Sequence, residues 1–126
     1  MNIVLDASAA VELALSRPKA KSILTALEQA NWVSVPALFV SECTNVLWKY
    51  VQFDEMSKEN AHHHLEFCLS IPDEIVATRS LASEILSVAC LIGTSAYDLF
   101  YLVLARRTQS TLLTLDQKLV KLSGRI

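Results

Sequence analysis

Two kinds of apolar pattern follow one another along this chain: short continuous apolar runs and longer stretches with helical periodicity. The first run, Asn2–Leu5, has no polar face, which is typical of a strand buried on both sides of a parallel sheet. Similar runs occur at 32–35 and 111–114, with a weaker one at 74–77. We therefore predict four strands at these positions.

Between these runs, apolar residues recur about every 3.6 positions, which predicts helices. The strongest pattern covers Leu38–Val51, and Gly93 follows another pattern as a helix stop. Helices are predicted over 9–15, 20–30, 38–51, 57–69, 80–91, 95–106 and 116–122. Because strands alternate with helices, the pattern indicates an α/β fold with a parallel sheet and right-handed crossovers.

Length and composition limit the number of domains and the class of protein. A length of 126 residues, 52% of them hydrophobic, suits a single domain over 1–126 with a sizeable core. The net charge of −2 gives no overall nucleic-acid signature and predicts no autonomous DNA binding. Since Cys43, Cys68 and Cys90 lie in apolar helical patterns, we predict reduced core thiols in a cytoplasmic protein. Neither a signal peptide nor a membrane-spanning segment is expected.

Four acidic residues occupy positions that meet in such a fold. Asp6 and Asp116 each follow a predicted strand, whereas Glu42 and Asp98 lie near helix starts in apolar surroundings. The carboxyl ends of parallel strands are where open α/β sheets place their ligands. Each acid also has a simpler explanation, as a helix cap or as a charge favoured by the helix dipole.

A cluster of four carboxylates would raise its own pKa values unless cations were bound. Oxygen ligands of this kind favour Mg²⁺ or Mn²⁺, and such ions activate water and stabilise the charge on a phosphate during cleavage. The acids thus favour metal-dependent phosphodiester hydrolysis over chemistry with a Cys or His nucleophile.

The segments around these acids form four motifs in a fixed order, at Val4–Ala9, Ser41–Leu47, Ala96–Ala105 and Leu113–Leu119. Together they resemble the PIN-domain family, most closely the VapC-type ribonuclease toxins of toxin–antitoxin pairs. The resemblance spans almost the whole chain. It implies a three-layer α/β/α fold with a central parallel sheet of four to five strands, although the chain ends at Ile126 and leaves the fifth strand short or absent.

The resemblance also implies a function and a site. It implies endonucleolytic cleavage of RNA, a homodimer, and a cognate antitoxin whose tail blocks the site. The acidic, metal-binding residues would be Asp6, Glu42, Asp98 and Asp116, with Mg²⁺ or Mn²⁺ as the metal. The supporting polar residues would be Ser8, Thr114 and Asn45.

Two other functions remain open from the sequence. A phosphatase with Asp6 as nucleophile would need a second Asp two residues later, where Ser8 stands instead. A catalytically silent interaction module is harder to exclude, although all four acids are intact. A dinucleotide-binding module is excluded because the chain has only two glycines and no glycine-rich phosphate loop.

Two groups of residues have a functional and a structural explanation. His62–His64 invites a metal site, but consecutive helical residues point in different directions, which favours a solvated helix face. Scattered surface charge is an equally good explanation for a set of basic residues that could form a rim holding RNA phosphates. That set is Arg17, Lys19, Lys21, Lys49, Arg106, Arg107 and Lys118.

Overall fold

A central sheet of four parallel strands organises the molecule, and the computed structural model describes all residues from 1 to 126. The strands are β1 (Asn2–Leu5), β2 (Trp32–Pro36), β3 (Glu74–Val76) and β4 (Thr111–Leu113). Their order across the sheet is β3-β2-β1-β4, with every neighbouring pair parallel. The chain therefore steps from β1 to one side for β2 and β3, and returns to the other side for β4.

Seven α-helices flank the sheet. They are α1 (Ala7–Ala14), α2 (Ala20–Glu28), α3 (Leu38–Phe53), α4 (Lys58–Ser70), α5 (Thr78–Ile92), α6 (Phe100–Thr108) and α7 (Gln117–Ser123). Helices α1 to α4 pack on one another in one group, whereas α5, α6 and α7 form a second group that contacts the sheet through α6. The predicted three-layer α/β/α architecture with four strands is confirmed.

The core lies along the middle of the sheet and on α6. Residues Ile3–Leu5 of β1 are almost fully buried, as is every residue of the α6 segment Tyr101–Ala105. A strand buried on both faces requires a continuous apolar run, and the first residues of the chain provide one. Since β1 is a central strand, whatever follows it is fixed rigidly at the sheet's carboxyl edge.

Local structure departs from the predictions at two helix starts. Helix α1 begins at Ala7 rather than at residue 9, with Asp6 at the N-cap position. The Ser8 hydroxyl bonds to Asp6 and to the main chain of Leu115. The helix predicted from 95 is broken: Ser95 caps a short 3-10 turn, Ala96–Leu99, and α6 begins only at Phe100. Asp98 lies within this turn.

Burial corrects one further prediction. Cys43 and Cys68 are buried thiols, as predicted, but Cys90 is exposed on α5. The apolar pattern around Cys90 does not place it inside because the neighbouring Leu86 and Leu91 are exposed as well. No single helix has the length and apolar composition needed to cross a bilayer; by those two measures, only α5 taken together with 96–108, bent by 112°, qualifies.

Candidate active site

Asp6 occupies the place where the strand order of the sheet reverses. It follows the central strand β1, and its main-chain N–H donates to the carbonyl of Leu113 in β4 at 3.0 Å. Its side chain is only 5% exposed. Crevices at such a reversal are the usual ligand sites of open α/β sheets. A carboxylate this buried requires hydrogen-bond donors, and the structure provides them.

Two hydroxyl groups donate to a single oxygen of Asp6. Ser8 Oγ and Thr114 Oγ1 both bond to Asp6 Oδ2 at 2.6 Å. In turn, Ser8 Oγ accepts the N–H of Leu115 at 3.0 Å, and Thr114 Oγ1 accepts that of Asp116 at 2.9 Å. Both hydroxyls are thus oriented by the main chain after β4. The other oxygen, Asp6 Oδ1, accepts no hydrogen bond, and no buried side-chain polar atom lacks a partner, so Oδ1 reaches solvent.

Glu42 lies in the second turn of α3 and is partly buried beside Cys43. The hydroxyl of Tyr101, in the first turn of α6, donates to Glu42 Oε1. Burial raises the pKa of Glu42 above its usual value, the Tyr101 hydrogen bond opposes this shift, and the charges of Asp6 and Asp116 add to it. These charges act on Glu42 because the three carboxylates share one region of the sheet edge.

Asp116 caps α7 while its side chain remains exposed. Its Oδ1 accepts the main-chain N–H of Lys118 at 2.9 Å, which is an N-cap bond. The structural explanation for this acid is therefore correct, but it leaves Oδ2 without a hydrogen bond. A capping carboxylate with one free oxygen is positioned firmly and retains a ligand atom.

Asp98 is held differently from the other three acids. Its Oδ2 lies 2.9 Å from the ammonium nitrogen of Lys118, in an ion pair, and 3.4 Å from the hydroxyl of Thr94. The bond to Asp98 and the carboxylate's charge raise the pKa of Lys118. The structure thus places Asp6 and Asp116 where their charges act on Glu42, and it ties Asp98 to a lysine.

The acidic residues fit a divalent cation in their chemistry more closely than in their present arrangement. All their donor atoms are carboxylate oxygens, as Mg²⁺ and Mn²⁺ prefer, and Asp6 and Asp116 each keep one oxygen free of hydrogen bonds. However, no group of three or more His, Cys, Asp or Glu side chains is placed so that it could hold a metal ion. This includes His62–His64, of which His62 and His63 are exposed.

The sequence predicts no role for Tyr101 and places Lys118 only in a basic rim. The signal for Tyr101 is its position in the otherwise apolar segment Leu99–Ala105, because a buried tyrosine hydroxyl needs a partner. Lys118 had no comparable signal, since its contact depends on how α7 lies beside the turn that carries Asp98. Asn45, predicted as a supporting residue, is exposed on α3 and makes no side-chain hydrogen bond.

Comparison with known proteins agrees with this architecture. The model of the PIN domain matches residues 3–124. Ribonuclease VapC3 of Pyrobaculum aerophilum is 26% identical over 125 residues, which cover 96% of this chain and 94% of that protein. The crystal structure of PAE2754, also from Pyrobaculum aerophilum, aligns with a TM-score of 0.74 at 26% identity, over 96% of this chain and 78% of that one. With its family model matched over nearly its full length, the chain belongs to the PIN-domain family.

Proposed function

We propose that this protein is a metal-dependent endoribonuclease, the toxin of a toxin–antitoxin pair, that hydrolyses RNA phosphodiester bonds in the cytoplasm. Residues 1–126 would act as one domain. The similarity to Ribonuclease VapC3 over 125 residues supports an RNA substrate. The observation that carries the proposal is the buried carboxylate of Asp6, held through Oδ2 by two hydroxyls while Oδ1 remains open to solvent.

The proposed metal ligands are Asp6, Glu42, Asp98 and Asp116, with Mg²⁺ or Mn²⁺ as the cofactor. When bound, such an ion lowers the pKa of water and stabilises charge on a phosphate. Ser8 and Thr114 orient Asp6 so that Oδ1 faces the ligand, which is the role of an outer hydrogen-bond shell. Tyr101 favours the ionised form of Glu42 because its hydrogen bond lowers the pKa of that carboxyl. Asn45 lies on α3 one turn beyond Glu42 and has its amide free to meet substrate.

The proposed partners are a second copy of the chain and a cognate antitoxin, and DNA binding is not a property of this chain alone. One exposed apolar pair supports the need for a partner, because neighbouring apolar side chains at the surface commonly mark an interface. Trp48 and Phe53 on α3 lie edge to face, with ring centroids 5.9 Å apart. Trp48 and Phe53 are 52% and 70% exposed.

Cleavage of total cellular RNA by purified, antitoxin-free protein tests the function. Discrete fragments are expected with Mg²⁺ or Mn²⁺, none with a chelator, and none from Asp6→Asn or Asp98→Asn. Asparagine preserves the shape of each side chain and removes the charge that attracts the cation. Fragments that persist in both variants would indicate a contaminating nuclease and would contradict the site.

One observation favours a second candidate, a catalytically silent interaction module. Asp98 is bonded to Lys118, and no three acids are arranged around a common point. A silent module would bind its partner protein and leave RNA intact with every metal. Folded, antitoxin-free protein that cleaves no RNA and binds no Mn²⁺ would therefore favour the module over the nuclease.

A further inference from the structure

Lys118 contacts two of the four proposed ligands. Its main-chain N–H donates to Asp116 Oδ1 at 2.9 Å, and its ammonium nitrogen lies 2.9 Å from Asp98 Oδ2. The first bond caps α7 and fixes the position of the Lys118 backbone. The second places a positive charge directly on a carboxylate oxygen of the candidate site.

This second contact is easily exchanged. The Lys118 side chain is 63% exposed and that of Asp98 24%, and the ammonium group makes no other contact of the same kind. Exposed ion pairs contribute little stability, since water competes for both partners. By contrast, Glu84 on α5 is held by two arginines, Arg106 and Arg107, through three hydrogen bonds. Asp98 thus has one flexible side chain as its charged partner.

A divalent cation and an ammonium group compete for the same oxygen of Asp98, because both are attracted to its charge and repel each other. We propose that Lys118 is a resident counter-ion that competes with the divalent cation for Asp98 and is released when the cation binds. The inference rests on the proposed metal site. A released lysine beside that site is suited to RNA, because its ammonium binds a phosphate as a point charge.

Removal of the Lys118 charge should have opposite effects on the affinity for Mn²⁺ and on the affinity for RNA. Lys118→Met keeps the stem and loses the competitor, so the protein should bind Mn²⁺ about two- to fivefold more tightly, as expected for loss of one exposed ion pair. The same variant should bind RNA more weakly, with a higher KM at saturating metal. A purely structural role for Lys118 would not move these two affinities in opposite directions.

The experiment is a titration of the intact protein with Mn²⁺ in the absence of RNA. Electron paramagnetic resonance measures the concentration of free Mn²⁺. Lys118→Arg, which retains the charge, should bind Mn²⁺ like the wild type. Lys121→Met is the matched control, because Lys121 lies on the same helix and forms no ion pair. In an Asp98→Asn background the effect of Lys118→Met should disappear, which isolates the pair.

The outcomes separate this inference from the proposed function. Tighter Mn²⁺ binding by Lys118→Met alone supports the competition. Equal binding by the wild type and Lys118→Met overturns it while leaving the metal site intact. If neither protein binds Mn²⁺, the proposed metal site itself fails and the inference with it.

Discussion

Asp6 and Asp98 are both proposed ligands of one cation, yet the fold treats them in opposite ways. Asp6 follows a central strand, is 5% exposed, and receives two hydroxyl groups that the main chain orients. Asp98 lies in a 3-10 turn and is held by an exposed lysine and a weak hydroxyl contact. One half of the site is therefore built into the sheet, and the other half is held by an exchangeable surface contact.

The difference between the two residues follows from how much hydration each carboxylate loses when the protein folds. A charge as buried as that of Asp6 loses hydration, so it persists only with strong donors, and hydrogen bonds to a carboxylate are about twice as strong as neutral ones. Asp98 keeps access to water and needs no such network. Rigidity in this site thus coincides with burial.

The largest expected contrast is the difference in stability between the variants Asp6→Ala and Asp98→Ala. Asp6→Ala leaves the hydroxyls of Ser8 and Thr114 without their acceptor and should lower the free energy of unfolding by about 1–3 kcal/mol. Asp98→Ala breaks one exposed ion pair and should cost less than about 1 kcal/mol. RNA cleavage should fall in both, on the order of a hundredfold or more. Urea unfolding and RNA cleavage measure the two effects, and a more stable Asp6→Ala would show that repulsion among carboxylates outweighs the hydroxyl bonds.

Thr114→Val tests the built-in half without touching a carboxylate. The isosteric change removes the donor to Asp6 and the acceptor of the Asp116 N–H, so cleavage should fall by about ten- to a hundredfold. Thr114→Ser should retain most activity because it keeps the hydroxyl. Thr111→Val, at the exposed start of the strand that precedes Thr114, is the control and should cleave RNA normally. Equal activity of Thr114→Val and the wild type would mean that Asp6 needs no orientation.

Tyr101→Phe tests how the Tyr101 hydrogen bond to Glu42 affects the pH dependence of RNA cleavage. The Tyr101 hydrogen bond lowers the pKa of Glu42, against the larger upward effect of burial, so its loss should raise that pKa further. If Glu42 acts ionised, the acidic limb of the pH profile of RNA cleavage should move to higher pH. Tyr97→Phe, on an exposed side chain, should leave the profile unchanged. A profile that does not move in Tyr101→Phe would remove Glu42 from the ionisations that limit cleavage.

The smallest effect is expected from Glu84→Gln, a change in an ion pair whose partners are Arg106 and Arg107. Arg106 and Arg107 lower the pKa of Glu84, so its ionised form stabilises the folded state above its usual pKa, and this contribution is lost as the pH falls through the lowered value. At neutral pH the variant should be less stable by under about 1 kcal/mol. The difference should close in acid when unfolding is measured across pH, and a change in RNA cleavage would place Glu84 in the site after all.

Sequence was most informative where a local pattern decides the structure. The apolar run of Asn2–Leu5 and the periodicity over Leu38–Val51 sufficed to predict a central strand and a long helix. The convergence of Asp6 and Asp116 followed from parallel strands ending at one edge. The resemblance implied supporting roles for Ser8 and Thr114, but two contacts between distant elements were not predicted: the bond of Ser8 to the main chain after β4, and the ion pair of Lys118. No local pattern encodes either contact.

The meeting of Ser8 and Thr114 also dictates when the site comes into being. Their hydroxyl oxygens lie 3.5 Å apart although 106 residues separate them along the chain, and contacts of such separation form late in folding. During synthesis the segment after β4 leaves the ribosome later than Asp6, since chains emerge from the N-terminus. Thr114 lies 108 positions after Asp6, so Asp6 is made well before the hydroxyl of Thr114 that orients it. The arrangement that orients Asp6 is therefore incomplete until the segment after β4 has been made.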